Sequence, residues 1–210
     1  MANLTAKQAV DLNNIDLNFF IRNFEDESIG RNVTYQGHNY PYSYTVMADG
    51  GYSIVFAGRN FNTDASGNIS SGTVTAIFEY SENGLIWQAT GISLAAKDIY
   101  AAAASLGDKD DTALLKKALS GADSFRLSSG NDVVHGFGGN DSLYGYGGDD
   151  RLAGDSGDDV IWAGLGADGS WGGSGKDRFV YKSPAKPAAT PSMISPAGMT
   201  RSILPPWMPM

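Results

Sequence analysis

The stretch Gly136-Phe137-Gly138-Gly139-Asn140-Asp141-Ser142-Leu143-Tyr144 is followed in strict register by Gly145 to Ala153 and Gly154 to Trp162, and its reading decides the fold. Each nine-residue phrase has the form GGxGxDxUx, with U a large apolar residue. Glycines supply the positive φ angles and close backbone approaches that a tight turn needs. The three residues after the aspartate are too few for anything but a short strand, whose middle side chain points inward because side chains alternate across a strand. Extending the phase in both directions gives seven copies from Ala118 to Val180. They place an aspartate at Asp123, Asp132, Asp141, Asp150, Asp159, Asp168 and Asp177, and fill the inward slot with Val134, Leu143, Leu152, Ile161 and Phe179. A flexible glycine-aspartate linker has no reason to hold both residue types at fixed phase over so many periods. The period therefore predicts a parallel β-roll over residues 121–181.

The same spacing points to an ion. Calcium is a hard cation that takes about six to eight oxygens from carboxylates and backbone carbonyls in a tolerant geometry. An aspartate in every phrase, beside glycines whose carbonyls no side chain shields, meets that need. The candidate metal-holding residues are the seven aspartates with Gly130, then Gly136, Gly138 and Gly139, then Gly145, Gly147 and Gly148. Gly154 and Gly157, Gly164 and Gly166, and Gly173 and Gly175 continue the set. Without the ion the stacked carboxylates repel, and the small apolar slots bury little surface against chain entropy, so binding and folding of the roll are expected to be coupled.

Over about a third of its length the chain resembles the RTX (repeats-in-toxin) family of exported bacterial proteins, without the protease domain of its serralysin-like members. The resemblance implies that two nonapeptides make one coil, so that consecutive turns fall on opposite edges. One edge then holds Asp132, Asp150 and Asp168, and the other Asp123, Asp141, Asp159 and Asp177. Asn131, Asn140, Asp149 and Asp158, one position earlier, are expected to hydrogen-bond the turns. The resemblance further implies a calcium cofactor, export through a type I channel on an uncleaved C-terminal signal, and an extracellular location. Two repeats depart most from the pattern. Ala163 to Trp171 has Ala163 for its leading glycine and Ser170 in the inward slot, predicting weaker packing and a poorer site. Ala118 to Arg126 keeps only Gly121, Asp123 and Phe125, and reads as a cap.

The 210 residues carry a net charge of −8, which argues against nucleic acid as a partner because phosphate binding needs a basic surface. There is no cysteine, which removes disulfides and thiolate metal sites. No apolar run approaches the ~20 residues of a membrane span, and the first thirty residues lack a basic segment followed by an apolar core.

Ahead of the repeats the pattern is period-two and aromatic-rich: Val33–Tyr35, Tyr42–Val46, Tyr52–Phe56, Thr73–Tyr80 and Leu85–Ala89. Breaks at 48–51, 64–68 and 81–84 make these antiparallel strands, so residues 1–92 are expected to form an antiparallel, β-sandwich-like domain in a mainly all-β protein. Ser93 to Ala104 reads as a helix with Ser93 as N-cap, and Asp111 to Leu119 as a second. Residues 93–120 are thus a helical connector, with a helix laid over the first rung of the roll. Tyr35, Tyr40, Tyr42, Tyr44 and Trp87 offer two readings, a core of cross-strand pairs or a glycan-binding or adhesive face toward a cell-surface partner.

No catalytic constellation is found. The chain has two histidines, His38 and His135, and no His-Glu-x-x-His or Gly-x-Ser-x-Gly motif, which argues against a zinc protease, a lipase and a serine triad. Glu25, Asp26, Glu27, Asp49 and Glu79 show no pairing of the kind a glycosidase needs.

After Tyr181 the composition changes to Pro, Ala, Met and Ser, where the family resemblance calls for a segment of the form D-x-I-x-D-F, then D-x-I-D-L. Taking the last base of each codon with the first two of the next, Met193-Ile194, Met199-Thr200 and Trp207-Met208 must each yield Asp. With permissible synonymous codons elsewhere, Lys186 to Pro209 can read TGRDTIDDFAGGDDKIDLAAMDA. Residues 182–210 are accordingly expected to be a disordered, frameshifted tail that lacks the native export signal.

Overall fold

The computed structural model describes residues 1–12, 24–48, 50–65, 69–104, 108–181 and 192–193. They divide into two compact units, the first formed by Met1–Leu4 and Asn13–Ala118, the second by Thr5–Leu12 and Leu119–Met210. Strand β1 (Asn3–Ala6) lies at the boundary between them in sequence.

In the first unit β2 (Phe24–Tyr35), β3 (His38–Ala48), β4 (Tyr52–Thr63), β5 (Ile69–Ser81) and β6 (Gly84–Ala95) run as an antiparallel meander, each strand pairing with the next. All five expected strands are present, and each is longer than its period-two core. They lie in one sheet, and the elements laid on β5 and β6 are helices: α1 (Ala96–Ala104) meets both strands, and α2 (Asp108–Ala118) packs on α1 and β6. The start of α1 differs from expectation. Ile92 and Leu94 are buried while Ser93 is exposed, so the alternation of β6 continues through Ser93, and the helix begins at Ala96.

Tyr35, Tyr40, Tyr42, Tyr44 and Trp87 are engaged in the packing of this unit. Tyr35 stacks on the fully buried Phe78 at 5.4 Å and Tyr40 meets the same ring edge-on at 5.9 Å. Tyr42 lies 6.0 Å from Phe61 beneath the Arg31 guanidinium, and Tyr44 lies 6.5 Å from Phe56. Trp87 is buried and donates its Nε1–H to Glu79, its cross-strand partner.

The second unit is a parallel β-roll. β7 (Ser124–Arg126), β9 (Ser142–Tyr144), β11 (Val160–Trp162) and β13 (Arg178–Val180) stack in one sheet, β8 (Val133–His135), β10 (Arg151–Ala153) and β12 (Gly169–Trp171) in the other. Ser192–Met193 forms a short strand β14 beside Gly169 and Ser170, and the rest of residues 182–210 falls outside the described residues. Registers join equivalent repeat positions: Phe125, Leu143, Ile161 and Phe179 form one inward row, and Val134, Leu152 and Ser170 the other. Phe125, Val134, Leu143 and Leu152 are fully enclosed. Ser170 fills its slot as a small polar group that is also buried, while Phe179 is only half-buried. Among the described residues no helix is long and apolar enough to cross a membrane.

Candidate metal centre

Each coil of the roll advances eighteen residues, and the aspartates record that step in hydrogen bonds. The N–H of Asp123 donates to Oδ1 of Asp141 at 2.7 Å, Asp141 to Asp159 at 2.8 Å, and Asp159 to Asp177 at 3.1 Å. On the other edge Asp132 donates to Asp150 at 2.9 Å and Asp150 to Asp168 at 3.0 Å. The expected division into two edges is therefore the observed one. The position before each aspartate runs a second ladder in the opposite sense. Oδ1 of Asn131 accepts from Asp149 N at 2.8 Å and Oδ1 of Asn140 from Asp158 N at 2.9 Å, and Asp149 and Asp158 accept in turn from Ala167 and Lys176. These four side chains bond the turns, as the resemblance implied.

One carboxylate oxygen is thus committed to the ladder, and the other is the informative one. Asp141, Asp150 and Asp159 are buried, and among the described residues their Oδ2 atoms accept no hydrogen bond. A buried polar atom left unpaired costs about 1–3 kcal/mol, more when charged, so such a repeated defect needs a partner. Each Oδ2 faces a leading glycine and a carbonyl of the next coil. A Cβ on Gly136 would meet Asp141 Oδ2 and stand 2.6 Å from the Gly154 carbonyl. Gly145 holds the same place between Asp150 Oδ2 and the Ala163 carbonyl, and Gly154 between Asp159 Oδ2 and the Gly172 carbonyl. The cradle is lined by oxygen and kept open by the absence of a side chain. Among the described residues no three His, Asp or Glu side chains converge on a point, so any ion held here draws on backbone carbonyls as well.

The electrostatics agree. Burial pushes the Asp141 carboxyl up to about 8, against the opposing hydrogen bond from Asp123 N and helped by the charges of Asp159, Asp123 and Asp155. Burial likewise raises Asp150 to about 7 and Asp159 to about 6, each again with neighbouring carboxylates adding to the rise. Positive charge beside these carboxyls would offset both their burial and their mutual repulsion.

The glycines divide by role. Gly148 has φ +106°, and a Cβ there would collide with the Gly130 carbonyl one coil earlier. Gly139, Gly157, Gly166 and Gly175 repeat this relation, which is a backbone requirement. Gly138 and Gly147 have open surroundings by comparison, with nearest contacts of 3.3 and 3.5 Å. The position after the leading glycine is left-handed throughout the later turns, at Gly164 and Gly173 but also at Phe137, Tyr146 and Asp155. Asp155 uses that position to accept from Phe137 N at 3.1 Å and to meet His135 Nδ1 at 3.0 Å. The later repeats are more open: Asp168 and Asp177 are half-buried.

Asp132 behaves differently, and the residues responsible carried no signal in the repeat pattern. Its Oδ1 accepts from Val10 N at 2.7 Å, and its Oδ2 from Ser128 N at 3.0 Å and from the Ser128 hydroxyl at 3.1 Å. Ser128 occupies a glycine position in a repeat that keeps Gly130 and Asp132, so the pattern does not single it out. Val10 lies outside the repeats altogether.

The family model of the RTX calcium-binding nonapeptide repeat (4 copies) matches residues 118–152 and 144–179. No curated protein and no solved structure matches the chain.

Proposed function

Because residues 118–179 carry RTX calcium-binding repeats folded as a β-roll, we propose that calcium drives the folding of this unit and that the folding takes place after export from the cell. The observation that supports this most is the row of buried Oδ2 atoms on Asp141, Asp150 and Asp159. Each aspartate has a double task, fixing its turn through Oδ1 and presenting Oδ2 to the cradle. The carbonyls of Gly154, Ala163 and Gly172 lie beside them to complete an oxygen environment. Calcium, when bound, supplies the positive charge that offsets burial and mutual repulsion of these acids. In a compartment poor in calcium the same charges oppose the folded roll, leaving a cysteine-free chain loose enough to thread a type I channel.

Circular dichroism tests the folding half. Strand signal should rise on adding millimolar calcium and fall with chelator, and an unchanged spectrum overturns it. The export half is separable: the chain carrying the re-read segment in place of residues 186–209 should reach the medium of cells that express a type I channel, and its retention removes that half alone.

A further inference from the structure

The first turn of the edge that holds Asp132 is built to a different plan from the turns that follow it. Along this edge each aspartate receives at Oδ1 the N–H of the residue one coil earlier. For Asp132 that donor would be residue 114, which belongs to α2. Val10 takes its place, and returns the bond by accepting from Val133 N at 2.7 Å, while Asp11 forms a parallel bridge with Val133. Ala9 lies against Gly130, and Val10 and Leu12 are buried. Residues 5–12, distant in sequence, thus act as the missing rung below β8.

The second difference lies at Oδ2. In the following turns the residue four before the aspartate has a left-handed backbone, as at Phe137, Tyr146 and Asp155. Ser128 is not among the left-handed residues, and both its N–H and its hydroxyl turn onto Asp132. The hydroxyl also accepts from Gly130 N at 2.9 Å. Asp132 therefore has donors on both oxygens although it is fully enclosed, whereas the equivalent Oδ2 of Asp150, one coil later, has none among the described residues.

The geometry points to an ion-independent anchor: Thr5–Leu12 and Ser128 satisfy the Asp132 carboxylate with protein hydrogen bonds, so this turn takes no calcium and stays formed without it, giving the calcium-driven coils a fixed end to grow from. This rests on the calcium reading of the later turns and reassigns Asp132 from ligand to clasp. A preformed rung lowers the entropy cost of adding the next, as in other stacked-repeat folds.

Amide hydrogen exchange on the full chain in chelator and in calcium tests it. In chelator the amides of Val10, Ser128 and Val133 should exchange at least about tenfold more slowly than those of Asp141 and Asp159, and calcium should protect the latter. Equal, fast exchange of all five in chelator overturns the anchor. Calcium counting supplies a second readout. Asp132→Asn should bind as many ions as the parent chain and Asp150→Asn fewer, and loss of an ion from Asp132→Asn contradicts the assignment. If the parent chain binds no calcium, the calcium reading fails, and the exchange rates of Val10 and Val133 in chelator still decide the anchor.

Discussion

The N–H of Asp141 donates to Oδ1 of Asp159 across one coil at 2.8 Å, while Oδ2 of the same Asp159 carboxylate is buried and accepts no hydrogen bond among the described residues. One residue thus both holds the fold and opposes it. Replacing Asp159 or Asp141 with Asn should therefore act with opposite signs in the two conditions. Without calcium, and at about pH 9 where both raised acids are ionised, the variant gains stability, by about 1–3 kcal/mol, because a buried unpaired charge is removed. With calcium it is less stable than the parent, because an ion ligand is lost. Melting in calcium, and folding induced by a stabilising osmolyte in chelator, check this, and a shift of the same sign in both contradicts it.

The glycine positions predict a contrast within a single turn. Gly148→Ala forces a Cβ against the Gly130 carbonyl at a positive φ, and should cost more than about 1 kcal/mol. Gly147→Ala, whose nearest contact is 3.5 Å, should be neutral or stabilising by about 0.4–1 kcal/mol. Denaturant unfolding in calcium measures both, and equal effects would remove the steric account.

The acids fix a pH dependence. Their folded values of about 8, 7 and 6 at Asp141, Asp150 and Asp159 lie above the ordinary 3.8, so the calcium-free fold binds more protons than the unfolded chain. Its stability is full below pH 3.8 and falls as pH rises through about 6 to 8. Calcium binding runs the other way, weakening as pH falls through the same window and releasing protons where the acids are still protonated. Titrations in buffers of different ionisation enthalpy would reveal the released protons. Binding without proton release near neutral pH counts against the raised values.

In the first unit, Glu79 is raised by burial and held back by the hydrogen bond from Trp87 Nε1. Trp87→Phe removes the donor that favours the ionised acid, raising it further. The variant should lose about 1–3 kcal/mol, and more at pH 8 than at pH 5, because the loss falls on the charged form. Urea unfolding at the two values, in calcium throughout, is the measurement.

The roll was legible because its chemistry is periodic: Asp141, Asp150 and Asp159 recur at one phase with Leu143, Leu152 and Ile161, while the two edges came from the family resemblance, which implies two nonapeptides per coil. The turn-bonding role of Asn140 and Asp158 was likewise implied by the resemblance. The clasp on Asp132 was not. It depends on Ser128, which looks like a weakened repeat position, and on Val10, whose segment Thr5–Leu12 has no pattern until it is placed beside Val133. The strands of the first unit were read from alternation, but the alternation of Ile92 and Leu94 past Ser93 was outweighed by the capping signal of that serine. Their arrangement as one sheet with helices on β5 and β6 could not be read from strand pattern, since alternation shows which residues face a partner layer and not what that layer is.

Calcium titration into chelator-stripped protein, read by calorimetry at neutral pH, bears on the central claim most directly. The buried Oδ2 atoms of Asp141, Asp150 and Asp159 predict at least three ions per chain, with strand structure gained as they bind. A chain that binds one ion or none, or that binds without gaining structure, contradicts the account.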